Sequence, residues 1–284
     1  MLTRIISGVV AAAVLVAILL LPPVFLAGAV LLVSCIGLHE YAGAMKHKGI
    51  RVDLKVSWAA ALVWTAYAYV TTLAEQEGQG LAVAMKSLFT RTALWGIIFL
   101  IVVVLFSRIL FENGKFRTED AAHTLFGIIY IPFLLSFVLM IRNMDRGFEY
   151  IWLVIIGASV TDIFAYFAGT LFGRHKIIPA ISPKKTVEGA IGGALGCMIC
   201  MMVYGVLVVN QSGTALIPVY HFALMGMLCG VLSQIGDWAA SSIKRSAGIK
   251  DFGRLLPGHG GMMDRCDSFL FVAPVVYIYI SLFF

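Results

Sequence analysis

The sequence predicts an all-α protein, a polytopic bundle of transmembrane helices with its active site at one membrane face. Three observations lead there. First, the 284 residues are 61% hydrophobic and only 13% charged, with a mean hydropathy of +0.95. A water-soluble domain is nearer half apolar and a quarter charged, so charge this sparse cannot coat a surface of this size against water. Second, the apolar residues fall into stretches of the length a bilayer demands, about 20 residues per helical span. Third, the polar and ionisable residues collect in a few segments between those stretches rather than along them.

Nine spans are expected, at residues 4–21, 23–38, 56–74, 92–110, 122–141, 150–171, 187–209, 218–236 and 267–284. The first two are short and share the Pro22–Pro23 turn. Arg4, an apolar run and Leu26-Ala27-Gly28-Ala29 have the outline of a signal peptide, but apolar character resumes directly after the prolines. A membrane hairpin retained in the protein is expected, with a re-entrant pair as the alternative. Residues 1–150 form an N-terminal region of about five spans. Residues 151–284 form the C-terminal catalytic region, with loops at 172–186 and 237–266. The latter is too short for a core of its own, and no internal repeat stands out.

Charge tests this arrangement, because loops on the cytoplasmic side of a membrane protein are rich in Lys and Arg. With a cytoplasmic N-terminus, nine spans place Arg4, Lys46, Lys48, Arg51, Lys55, Arg108, Lys115, Arg117, Arg174, Lys176, Lys184, Lys185, Lys244, Arg245, Lys250, Arg254 and Arg265 on that side. That is 17 of the 21 basic residues. Lys86, Arg91, Arg142 and Arg146 fall on the other. The net charge of +6 and the isoelectric point near 9.1 therefore reflect the membrane, and no nucleic-acid partner is expected. Cys197 and Cys200 form a C-x-x-C inside an apolar run and read as small hydrophobic residues. His39-Glu40-Tyr41 ends the second stretch and is no H-E-x-x-H zinc motif. His123 and His221 read as interfacial or core histidines. No G-x-x-x-x-G-K-[ST] is present, so phosphate chemistry, if any, is not that of a P-loop.

An ionisable group within a span is costly and marks a functional site by default. Three places stand out. The first runs from residue 233 to residue 268. Gln234, Asp237, Ser241 and then Lys244 or Arg245 recur at helical spacing and share a face. Lys250-Asp251 follows, then the turn-forming Leu256-Pro257-Gly258-His259-Gly260-Gly261, whose glycines admit a ligand close to the backbone. Asp264 and Asp267 stand at i and i+3, facing the same way. Carboxylates such as Asp237 and Asp264 suit Mg²⁺ shared with substrate phosphates, and Lys and Arg neutralise phosphate oxygens. This combination fits phosphoryl or nucleotidyl transfer, which needs positioning and charge more than covalent chemistry.

The second place is 181–193. Ser182 is expected to cap a helix with Pro183 in its first position. That would set Lys184 and Lys185 beside the helix N-terminus, an anion site. The third is 159–173, where Asp162, Tyr166, Gly169 and Gly173 line one face. A charge at the depth of Asp162 should face the bundle interior, as a metal, ribose or base contact.

At these residues the chain resembles the phosphatidate cytidylyltransferases. The resemblance is carried by Ser241-Ser242-Ile243-Lys244-Arg245, Lys250-Asp251, His259-Gly260-Gly261-Met262-Met263-Asp264-Arg265-Cys266-Asp267, Ile181 to Gly189, and Asp162 with Ala165-Tyr166-Phe167. It covers residues 159–268. Cys266 departs from the aliphatic residue usual there, and Ile163-Phe164 stand where smaller residues are common. The resemblance implies conversion of CTP and phosphatidic acid to CDP-diacylglycerol and pyrophosphate with Mg²⁺, in phospholipid biosynthesis at a bacterial inner membrane, by a homodimer. Carried over by position, Asp237, Asp264, Lys244, Arg245 and His259 are candidate catalytic residues, and Asp237, Asp264 and Asp267 candidate metal ligands. Ser182, Lys184, Lys185, Glu188, Lys250, Asp251, Gly260, Gly261, Arg265, Asp162 and Tyr166 are candidate substrate-binding residues. A CTP-dependent transferase or kinase of another lipid, such as a polyprenol, would share this loop chemistry. A secondary transporter would instead show charges near mid-membrane and two similar halves.

Overall fold

The computed structural model describes residues 2–77, 91–112, 114–212, 216–255 and 260–284, and the described chain is helical with no β-strand. Among the described residues, nine helical rods follow in order. They are α1 (Leu2–Leu20), α2 (Pro23–Lys46), α3 (Leu54–Glu77), α4 (Arg91–Phe111), α5 (Thr118–Arg142), α6 (Gly147–Phe172), α7 (Val187–Val209), α8 (Val219–Ser246) and α9 (Met263–Phe283). Among the described residues, seven are long and apolar enough to cross a membrane: α2, α5 to α9, and α4 over Leu94–Phe111. In α1 the apolar stretch over the described side chains is Gly8–Leu20. A multi-pass membrane protein follows, since a helix satisfies its backbone internally where lipid offers no partner.

Several helices outrun their apolar stretches. Helix α2 continues past His39-Glu40-Tyr41 to Lys46, and α8 continues ten residues beyond 236 to Ser246. Apolar length marks only the part of a helix that lipid can solvate; polar residues at helical spacing carry the same rod further. The segment expected as a loop over 237–266 is thus helical at both ends. Helix α7 begins later than Ser182. Its N-cap is Thr186, whose hydroxyl accepts from Gly189 N at 3.2 Å. Ser182 instead closes a turn, its N–H donating to Ile178 O at 2.9 Å and its carbonyl accepting from Lys185 N at 3.2 Å. Thr186 stands in extended backbone (φ −123°, ψ 154°) and joins an isolated antiparallel bridge to Lys176, which sets the helix start there.

Three spans contain a five-residue π-helical segment: Ile129–Phe133 in α5, which holds Pro132, Ile156–Val160 in α6, and Gly205–Val209 in α7. The chain divides into two compact units. Unit 1 comprises Met1–Asp145 and Ala247–Met263. Its interior is built from α2, α3 and α5, with Leu38, Tyr41, Ala61, Ile131 and Leu139 fully buried and Trp64 against Phe133 at 5.0 Å between ring centroids. Unit 2 comprises Arg146–Ser246 and Asp264–Phe284. Here α7 lies between α6 and α8 at very short range. A Cβ on Gly192 would stand 2.3 Å from Ala168 Cβ, and one on Gly230 would stand 2.7 Å from Ala194 Cα. In lipid, such backbone approach replaces the hydrophobic driving force that water provides.

Candidate active site

In unit 2 the polar residues of four segments meet. Helix α8 supplies Gln234, Asp237 and Lys244. Gln234 is a fastener, its Nε2 donating to Ala190 O at 3.0 Å and to Gly230 O at 2.8 Å, which ties α8 to α7 one turn before Asp237. Asp237 Oδ2 takes the Lys185 ammonium at 2.8 Å. Helix α9 supplies Asp264 and Asp267, both buried, whereas Arg265 between them is exposed. Asp264 Oδ1 accepts from Lys244 Nζ at 2.7 Å, and both partners are buried. Asp267 Oδ1 accepts from Ser268 N at 2.8 Å. It also feels the charges of Asp237, Lys244 and Asp162. The helices can approach here because Gly236 faces Asp267; a Cβ at Gly236 would stand 2.6 Å from Asp267 O.

Lys185 is the centre of this field. Burial works against its charge, but Asp237, by field and by hydrogen bond, and then Asp162 and Asp267 outweigh it. Its pKa therefore sits above the ordinary 10.5 and the ammonium is held charged. Lys184, expected to share its role, is exposed. The segment that presents Lys185 is pinned. Glu188 accepts from Arg174 N at 3.0 Å and from the His175 ring at 2.6 Å, and Arg245 Nε donates to Ile181 O at 3.3 Å. Glu188 and Arg245 thus brace the segment, and His175 was not legible as their companion.

Two residues of α6 depart from expectation. Asp162 is exposed rather than turned into the bundle, in a row with Ile163, Phe164 and Tyr166. The π-helical segment before it shifts the face of the second half of α6, so only Thr161 stays buried there. Asp162 still borders the cluster, since its charge acts on Lys185. Tyr166 packs edge-on to Phe167 at 5.6 Å.

Lys250, Asp251, Gly260 and Gly261 belong to unit 1, with Lys250 and Asp251 exposed; His259 lies outside the described residues. The sequence reading missed the residue that shapes this segment. Glu40 of α2 is buried, and its two carboxylate oxygens accept from Met262 N and Met263 N at 2.9 Å each. These are free N–H groups at the start of α9, where a carboxylate is doubly favoured by hydrogen bonds and by the helix dipole. Gly253 and Gly261 make room for it; a Cβ on either would stand 2.3 Å or 2.6 Å from Glu40 Oε1. An acidic residue deep in an apolar helix was the available signal.

Among the described residues, no three Asp, Glu, His or Cys groups stand close enough to hold a metal ion between them. The donor set nevertheless suits a hard, water-retaining cation. Asp237 and Asp264 each already bind an ammonium, and Asp162 and Asp267 add negative charge around Lys185. Mg²⁺ needs only one or two carboxylates when phosphates and water complete its shell.

A family model described as the cytidylyltransferase family matches residues 2–283. The chain belongs to the cytidylyltransferase family. The relatives include the phosphatidate cytidylyltransferase of Thermotoga maritima, 36% identical over 231 residues that cover 78% of this chain and 84% of the relative. That of Bacillus subtilis is 36% identical over 187 residues, 66% of this chain and 67% of the relative. That of Staphylococcus saprophyticus is 36% identical over 175 residues, 62% and 65%. Family membership over this span makes the chain a nucleotidyltransferase.

Proposed function

We propose that the protein is a phosphatidate cytidylyltransferase: it transfers CMP from CTP to phosphatidic acid, giving CDP-diacylglycerol and pyrophosphate. The observation that carries this is two ion pairs, the half-buried Lys185–Asp237 and the buried Lys244–Asp264, in a chain of this family. An oxygen of the phosphatidate phosphate attacks the α-phosphorus of CTP, the bond to the β-phosphate oxygen breaks, and pyrophosphate leaves. Both reactants are polyanions, so their approach is the first barrier. The ammonium groups of Lys185 and Lys244 are pre-oriented by carboxylates and offset phosphate charge without reorganising during the reaction. Asp237 and Asp264, with Asp267 nearby, are the residues that would hold Mg²⁺, which would supply charge neutralisation for the reacting phosphates when bound.

The distribution of basic residues supports nine spans with the site facing the cytoplasm, and the bacterial relatives support the cytoplasmic membrane as its location. The resemblance favours a homodimer.

The test is conversion of phosphatidic acid to a CDP-lipid by purified protein in detergent, with CTP, with and without Mg²⁺. The wild type should form product only with the metal, and Asp264→Asn should lose at least about 100-fold. Persistent turnover in the variant would remove Asp264 from the site. Turnover of a polyprenol in place of phosphatidic acid would overturn the acceptor.

A further inference from the structure

Unit 1 carries a cavity of about 470 Å³, none of whose residues is assigned above to the transfer reaction, lined by Arg51, Asp53, Lys55, Arg108, Glu112 and Lys115, with Phe116 as its aromatic wall. Its scaffold is made before any ligand arrives. Asp53 is buried and caps α3, its Oδ1 accepting from Lys55 N at 3.0 Å and Val56 N at 3.2 Å while Oδ2 pairs with Arg108. Arg108 Nε also donates to Glu112 Oε1 at 2.6 Å, and its guanidinium lies 4.9 Å from the Phe116 ring centroid. Both carboxylates of the cavity are thus engaged by one arginine. Among the described residues, Arg51, Lys55 and Lys115 have no carboxylate within ion-pair distance. Four cations against two carboxylates leave the cavity with a charge of +2. The Glu112 carboxyl, held below its ordinary pKa first by the Arg108 hydrogen bond and then by the fields of Arg108, Lys115 and Arg51, reports the same positive field.

The position of the cavity points to the kind of anion. It opens at the end of α4, and over Leu94–Phe111 only 6% of that span is buried. Phe106, Leu110 and Phe111 of α4 are exposed large apolar residues, as are Trp58 and Leu62 on α3. Acyl chains can lie along these faces while a headgroup reaches the cations. Lys55 in the first turn of α3 is unfavourable beside the helix dipole, a cost that a bound phosphate would offset.

We infer that this cavity is a binding site for a phosphate-bearing anion, the headgroup of an anionic membrane lipid, separate in its residues from the transfer site. Basic pockets between helices at the membrane surface recognise lipid phosphates in this way.

The test is native mass spectrometry of the full chain titrated with phosphatidylglycerol or, in parallel, phosphatidylcholine. Phosphatidylglycerol is not a substrate of the proposed reaction, so the result is independent of that reading. Wild type should retain a phosphatidylglycerol adduct in preference to phosphatidylcholine. Lys55→Gln with Lys115→Gln should weaken that preference roughly tenfold or more. Lys46→Gln with Lys48→Gln, which removes as much charge from the end of α2 and the turn after it, should leave it within about twofold. Matching thermal unfolding curves exclude a folding defect. Equal loss in both double variants would mean diffuse surface attraction, and no loss in either would mean no site; both overturn the inference. Equilibrium dialysis with inorganic phosphate alone separates the sources. Phosphate retained by wild type and lost from Lys55→Gln/Lys115→Gln assigns a soluble anion, and lipid adducts without phosphate retention assign the headgroup.

Discussion

Lys244 and Asp264 show what a single pair of side chains can decide. Both are buried, so removing one leaves an uncompensated charge, which costs about 3–5 kcal/mol, whereas replacing both by apolar residues is close to neutral. Lys244→Met should therefore lower the unfolding temperature in detergent and abolish turnover. Lys244→Met with Asp264→Leu should recover most of the unfolding temperature and none of the turnover. Recovery of activity in the double variant would make the pair structural only. Lys185 adds a pH dependence. Its pKa is raised in the folded protein, so the stability from its pair with Asp237 is fully present below the ordinary 10.5 and is lost as pH rises through the higher folded value. The difference in unfolding temperature between wild type and Asp237→Asn should hold constant to about pH 10 and shrink above it. These residues were legible in the sequence because ionisable groups stand out against an apolar background. Their pairing was not: nothing in the spacing said that Lys185 rather than Lys184 would meet Asp237, since that depends on the turn that ends at Thr186.

At the scale of elements, the apolar helices were legible because hydropathy reports lipid contact directly, and among the described residues seven of them are long and apolar enough to cross a membrane. The helix extensions to Lys46 and Ser246 and the late start of α7 were not legible, because caps and packing set those ends. Glu40 was passed over for the same reason, its role being set by backbone N–H groups far along the chain. Its fit against Gly253 gives a two-residue test. Gly253→Ala puts a methyl into the Glu40 carboxylate and should cost roughly 1–3 kcal/mol. In a Glu40→Ala background that cost should nearly vanish, because the methyl fills the space left behind. Additive losses in the double-mutant cycle would show that the two do not share that space. Between helices, Gly230→Val should separate α8 from α7, where the gap to Ala194 Cα is too small for any side chain, and lower the unfolding temperature.

For the molecule as a whole, the lopsided placement of basic residues predicts an orientation that labelling can test. In a background lacking the five native cysteines, Asp145→Cys and Gln211→Cys should react with an impermeant maleimide in intact cells. Lys48→Cys and Lys250→Cys should react only after permeabilisation. Labelling of all four from outside would refute the nine-span orientation. The chain order carries a further consequence. Glu40 receives its hydrogen bonds from residues 222 and 223 positions later. During synthesis its carboxylate is delivered near the membrane long before Met262 and Met263 exist, and an unmatched acid there is costly. A chain that stops after Ser246 would keep that acid exposed, so each nascent protein carries, near its start, a built-in check on whether its far end has been made.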